Sequence, residues 1–203
     1  MSDLLTDQPF GIYLLPAVLV VLLLLFLLVY RRRKGRARSF DGVLNAIAFE
    51  RISDLVIPNA DEGEIQIDHL VLTSEGLLII DVKDVSGTVF GSDKMQDWTV
   101  ISQDRRFTFS NPQPALYDRI AAVRQIVREV PVAGRILFLD GAEFTKGKPG
   151  LVCGLDQLLS EFGEVDHVAA KVKIDAFRPH WELIVAKAQT AAPRVERRRA
   201  PSV

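Results

Sequence analysis

Phe10 to Tyr30 is an unbroken run of 21 residues with no charge and no strongly polar side chain, dense in Leu and Val. As a helix it would be about 31 Å long, close to the hydrocarbon thickness of a bilayer, so it predicts one membrane-spanning segment. A buried core helix is usually shorter, and this run is followed at once by RRRKGRAR, six positive charges within residues 31–38. Asp3 and Asp7 precede it and arginines follow it, the reverse of the charge order in a cleaved signal peptide. Lys and Arg resist translocation. The basic cluster therefore predicts a single-pass protein of the plasma membrane, with residues 1–9 outside and the remainder in the cytoplasm.

Charge is distributed unevenly behind that segment. The whole chain carries a net charge of −1, yet residues 39–193 hold 15 Lys plus Arg against 23 Asp plus Glu, a net charge of −8. The positive charge lies in two strips, the linker 31–38 and the tail sequence RVERRR. A lone Cys153 excludes an intramolecular disulfide and any cysteine-based zinc cluster, as suits a reducing compartment. About 150 residues remain for one domain with a core of its own.

Apolar positions at Val43, Leu44, Ile47, Ala48, Ile52, Leu55 and Val56 recur at intervals of three and four, which predicts one amphipathic helix over 41–57, stopped by Pro58. EIQIDHLVL alternates as a half-buried strand does. GLLIIDVK reads as a more continuously apolar strand and GTVFG as a short third one, together an antiparallel meander. Trp98–Ser102 and Arg105–Ser110 predict a hairpin, and Pro114 opens a helix through ALYDRIAAVRQIVREV. GRILFLDG and LVCG read as strands, LDQLLSEF and AFRPHWELIVAKAQ as helices. The class is α/β with a mixed sheet flanked by helices.

Within the second strand, Asp81 and Lys83 stand two residues apart and project to the same face. Asp68 lies on the preceding strand, where a turn near TSEG would set it beside Asp81. Two carboxylates and a lysine on one patch suit phosphodiester hydrolysis. The acids would hold Mg²⁺ or Mn²⁺, and the lysine would orient water or stabilise developing negative charge. The same residues also suit an ordinary strand whose solvent face carries an Asp–Lys pair worth under about 1 kcal/mol.

The run QIDHLVLTSEGLLIIDVKDVSGTVFG, then Trp98, then Asn111-Pro112, resembles the nuclease-related domain, NERD, over about residues 40–130. That resemblance implies a restriction-endonuclease-like fold of the PD-(D/E)xK superfamily and a metal-dependent nuclease ancestry. Position by position it implies Asp68 and Asp81 as metal-binding and catalytic acids and Lys83 as the catalytic lysine, with Gln66 and His69 on the family's Gln and His. With the apolar run, the basic strips and the later elements read above, the expected organisation is 1–9 outer segment, 10–30 membrane helix, 31–38 basic linker, 39–130 nuclease-related domain, 131–190 α/β extension packed on it and 191–203 basic tail.

Three positions depart from the family pattern. Asn45 stands where a Gly-Glu is usual in the first helix, so Glu50 is the carboxylate left to support the site. Ala115 replaces an expected Gln, and Asp84 follows the motif lysine where Asn is common. An acidic domain is also poorly equipped to neutralise phosphates, unless Lys94, Arg105 and Arg106, or Arg119, Arg124 and Arg128 on one helix, rim the site. Two functions stay open at this level: a membrane-tethered Mg²⁺- or Mn²⁺-dependent nuclease acting on nucleic acid, and a nuclease-like module that binds or assembles at the membrane. In both, the linker would grip anionic lipid headgroups.

Overall fold

In the computed structural model the described residues are 39–58, 63–103, 105–139, 141–163 and 167–190. The apolar run 10–30, the linker 31–38 and the tail 191–203 lie outside them. Among the described residues no helix is long and apolar enough to cross a membrane.

Helix α1 (Phe40–Ile47) begins at Ser39, whose Oγ accepts from the Gly42 N–H at 3.1 Å, and it buries Val43, Leu44 and Ile47. It then stops. The single helix expected over 41–57 is instead α1 followed by strand β1 (Glu50–Pro58), antiparallel to β2 (Glu64–Thr73). Intervals of three and four through Ile52, Leu55 and Val56 coexist with an alternation through Leu55 and Ile57. Pairing with β2, which buries both of those, settles the conflict in favour of strand.

The chain turns tightly from β2 into β3 (Gly76–Lys83). Thr73 Oγ1 donates to the Gly76 carbonyl and accepts from the Glu75 N–H. Gly76 has φ +119°, and a Cβ there would lie 2.3 Å from the Pro131 carbonyl oxygen, so only glycine fits. Strand β3 then departs from the expected meander, because β4 (Gly87–Phe90) leaves it for a second sheet. There β4 pairs antiparallel with β5 (Asp97–Ser102), which forms the expected hairpin with β6 (Arg105–Ser110). Helix α2 (Gln113–Ile126) follows and ends four residues sooner than its apolar spacing suggests, with Val127 already extended.

From α2 the chain returns as β7 (Val132–Phe138), parallel to β3. Strand β8 (Ala142–Phe144) runs parallel to β4, and β9 (Val152–Cys153) parallel to β7. Helices α3 (Leu155–Phe162) and α4 (His167–Thr190) complete the order. The five-stranded sheet reads β1-β2-β3-β7-β9 and the four-stranded sheet β6-β5-β4-β8. A boundary after residue 130 therefore does not separate a domain from an extension packed on it. Residues beyond it supply β7, β8 and β9, one or more strands to each sheet.

Strand β3 is buried on both sides from Leu77 to Ile80, which is why that stretch is continuously apolar rather than alternating. On one side Leu77 and Ile79 pack with Leu116, Ile120 and Val123 of α2 and Ile174, Trp181 and Ile184 of α4. On the other, Leu78 and Ile80 pack with Val43, Leu44 and Ile47 of α1 and Leu158 and Phe162 of α3. Trp98 is fully buried, donates from Nε1 to the Ser92 carbonyl at 3.1 Å, and lies among Phe109, Phe138 and Phe144. The result is a mixed α/β fold with helices on both faces of its larger sheet.

Candidate active site

The ladder between β2 and β3 ends at the pair His69 and Ile80. The next residue on each strand is Asp68 and Asp81, placed where the strands part. Alternation also breaks at this level: Ile67, Leu70 and Leu72 all feed the same core, so the pleat slips between Ile67 and Leu70. Strand β1 carries the matching irregularity. Asp54, opposite Asp68 in register, takes φ +53°, a left-handed conformation that Asp tolerates better than most residues.

Alternation along β3 sends Asp81 and Lys83 to the side of the sheet that α2 covers. Asp81 is only 3% exposed, and Lys83 Nζ stands 2.7 Å from its Oδ1. The carboxyl of Asp68 stands next to that of Asp81 and near the Val82 N–H. Burial, then the hydrogen bond to Asp81 and its negative charge, push the Asp68 carboxyl above the usual carboxylate range, while Lys83 and the Val82 N–H pull the other way.

Arg119 completes the cluster from α2. Its Nε donates to the Gln66 carbonyl at 2.7 Å, and its Nη1 lies 3.6 Å from Oδ2 of Asp81. That Nη1 is buried with no hydrogen-bond acceptor. Asp81 is therefore flanked by a cation on each carboxylate oxygen. Sequence reasoning grouped Arg119 with Arg124 and Arg128 as a rim or a solvated helix face. Its spacing of three from Leu116 and four from Val123, both buried, already put it on the edge of the core-facing stripe. Arg124 donates to the Val132 carbonyl instead, at 2.9 Å.

The other residues singled out from the sequence are placed differently. His69 faces α1: its Nδ1 lies 2.8 Å from Ser53 Oγ, and its ring meets the Phe40 ring edge to face at 5.0 Å. Burial pulls its imidazole below the usual histidine value. Gln66 contributes its carbonyl to Arg119, and it also lines a groove of about 500 Å³ between β2 and α2. Glu50 is in register with Leu72 and ion-pairs with Arg178 of α4. Four residues of strand, about 13 Å, separate it from the level of Asp68, so it does not join the acid pair. Asn111 is structural, accepting from the Gln113 N–H and donating to the Met95 carbonyl.

Two converging carboxylates are a donor set that fits a hard divalent cation, which takes oxygen ligands and keeps several waters. Among the described residues no group of three His, Cys, Asp or Glu side chains comes together.

Comparison with known proteins supplies the lineage. An uncharacterized protein of Bacillus anthracis is 30% identical over 64 residues, which span 32% of this chain and 30% of that protein. No solved structure matches the chain. The family model described as nuclease-related domain matches residues 37–139, half of the chain, and takes in β1 to β7 with the Asp68, Asp81, Lys83 and Arg119 cluster. The chain belongs to the nuclease-related domain (NERD) family.

Proposed function

We propose that this chain is a membrane-anchored, metal-dependent nuclease that hydrolyses phosphodiester bonds of nucleic acid on a restriction-endonuclease-like scaffold. The observation that carries the reading is Lys83 Nζ held 2.7 Å from Asp81, beside Asp68, at the point where β2 and β3 separate. Asp68 and Asp81 would hold Mg²⁺ or Mn²⁺, which supplies polarisation of a phosphate oxygen and a more acidic attacking water. Lys83 sits where its ammonium stabilises negative charge growing on the phosphate in the transition state. Asp81 is oriented by Lys83 and Arg119.

Residues 10–30 and 31–38 support the anchoring half of the reading, through span length and the basic flank that faces the cytoplasm and anionic headgroups. A second reading has one specific observation in its favour. Both oxygens of Asp81 already face cations, and the domain is acidic, as expected of a nuclease-like module retained for binding or assembly at the membrane.

The full chain, purified in detergent, is incubated with single- and double-stranded DNA and RNA and Mg²⁺ or Mn²⁺, beside Asp81→Ala and Lys83→Ala. The nuclease reading expects cleavage by the native chain and loss in both variants. No cleavage, or equal cleavage by the variants, leaves the binding module.

A further inference from the structure

The groove between β2 and α2 adjoins the acid pair, and Arg119 is the wall common to both. One end of this side chain faces Asp81 with a buried Nη1 that has no hydrogen-bond acceptor. The rest lines the groove together with Gln66, Ala115, Asp118, Ala122 and Gln125. Its volume of about 500 Å³ falls within the roughly 300–1,000 Å³ typical of small-molecule sites. The lining is mixed in a particular way. Alanines of α2 leave a low apolar floor, while two amides and one carboxylate stand around it, donors and acceptors of the kind that pair with base edges.

A second hollow continues along α2 and shares Ala121 and Gln125 with the first. It is lined by Tyr117, Arg124 and Arg128, and Tyr117 is 57% exposed, an unusual position for a large aromatic ring. An exposed aromatic between cations is the arrangement on which single-stranded nucleic acid stacks its bases and rests its phosphates. In an otherwise acidic domain, Arg119 and Arg124 of α2 and Arg128 just beyond it thus line the way out from the acid pair.

We propose that the groove is a nucleotide subsite. It would take one unstacked base beside the scissile phosphate, with Arg119 contacting that phosphate, and the strand would continue over Tyr117 and Arg128. The substrate class is then single-stranded nucleic acid, because a base stacked and paired in a duplex cannot enter the groove. The proposal rests on the nuclease reading for the identity of the phosphate, and its test does not depend on cleavage.

The full chain in detergent is titrated with GMP and with ribose 5-phosphate, which keeps the phosphate and lacks the base. GMP is expected to bind at least about tenfold more tightly. Asp118→Ala combined with Gln125→Ala, substitutions that favour helix, should bring GMP down to the level of ribose 5-phosphate and leave the latter unchanged. A single-stranded oligonucleotide should displace GMP, and its duplex should not. Equal binding of the two phosphates, or a double variant that binds GMP as the native chain does, overturns the subsite. If the chain cleaves nucleic acid but does not distinguish the two phosphates, the subsite alone fails. If base discrimination persists in a chain that never cleaves, the subsite stands and the nuclease reading fails.

Discussion

Arg119 and Asp81 face each other across the joint between α2 and β3, with Nη1 and Oδ2 3.6 Å apart and the nitrogen sealed from solvent. With Lys83 on the other oxygen, Asp81 sits between two cations. The balance of charge here sets how stable the site is and, on the nuclease reading proposed above, how readily it would accept a divalent cation. Replacing Arg119 by Met keeps much of the side-chain bulk and removes one positive charge. The variant should lose about 1–3 kcal/mol of stability, since a buried carboxylate loses a partner. Its site becomes more negative. The rise in melting temperature on adding Mn²⁺ should therefore be larger than in the native chain. A smaller rise would mean that Arg119 is needed to shape the cation site rather than competing with it.

Asp68 gives a prediction in pH. Its carboxyl is pushed above the ordinary value of 3.8 in the folded chain, so the folded state holds a proton that the unfolded state releases. Below 3.8 both states are protonated and the shift has no effect on stability. As pH rises above 3.8 the unfolded state gains from ionising first, and stability falls until the folded carboxyl has ionised as well. Asp68→Asn removes this penalty. It should melt a few degrees higher than the native chain at neutral pH, and the difference should close toward pH 3. It should also abolish cleavage. A variant less stable than the native chain at neutral pH would show that the Asp68 carboxylate is better accommodated than its burial implies.

Glu50 tests the limits of the site. Its ion pair with Arg178 ties β1 to α4, away from Asp68. Glu50→Gln should cost no more than about 1 kcal/mol, as expected for a partly exposed pair, and should leave metal-dependent stabilisation unchanged. Asp81→Ala in the same assay should remove that stabilisation. If Glu50→Gln weakens the metal response as strongly, the site extends along β1.

The legible parts of this molecule are those fixed by neighbours in sequence. Asp81 and Lys83 share a face because strand geometry requires it, and the TSEG turn brings Asp68 to the same level. Three features depend on distant segments. Residues 50–57 fit a helical stripe and a strand about equally well, and β2 decides between them. GTVF leaves the first sheet because Ala142–Phe144 offers it a parallel partner more than fifty residues away. Arg119 enters the site only because β3 passes beneath α2, and nothing local distinguishes it from Arg124, the other arginine of that helix, except its intervals from Leu116 and Val123.

The basic strip 31–38 bears on how an acidic domain could hold nucleic acid at all. Its six charges are available to phosphates of lipid or of nucleic acid. Each phosphate neutralised on a single strand contributes about 0.7 to the slope of log affinity against log salt. A chain whose linker arginines and lysine are replaced by Gln should therefore bind a single-stranded oligonucleotide with a visibly shallower slope, if the strip takes part. Detergent micelles without anionic lipid isolate that contribution. Adding anionic lipid to the native chain should then mimic the neutralised linker, because headgroups compete for the same charges. An unchanged slope in the Gln variant would assign nucleic-acid binding to Arg119, Tyr117 and Arg128 and leave the strip without a part in it.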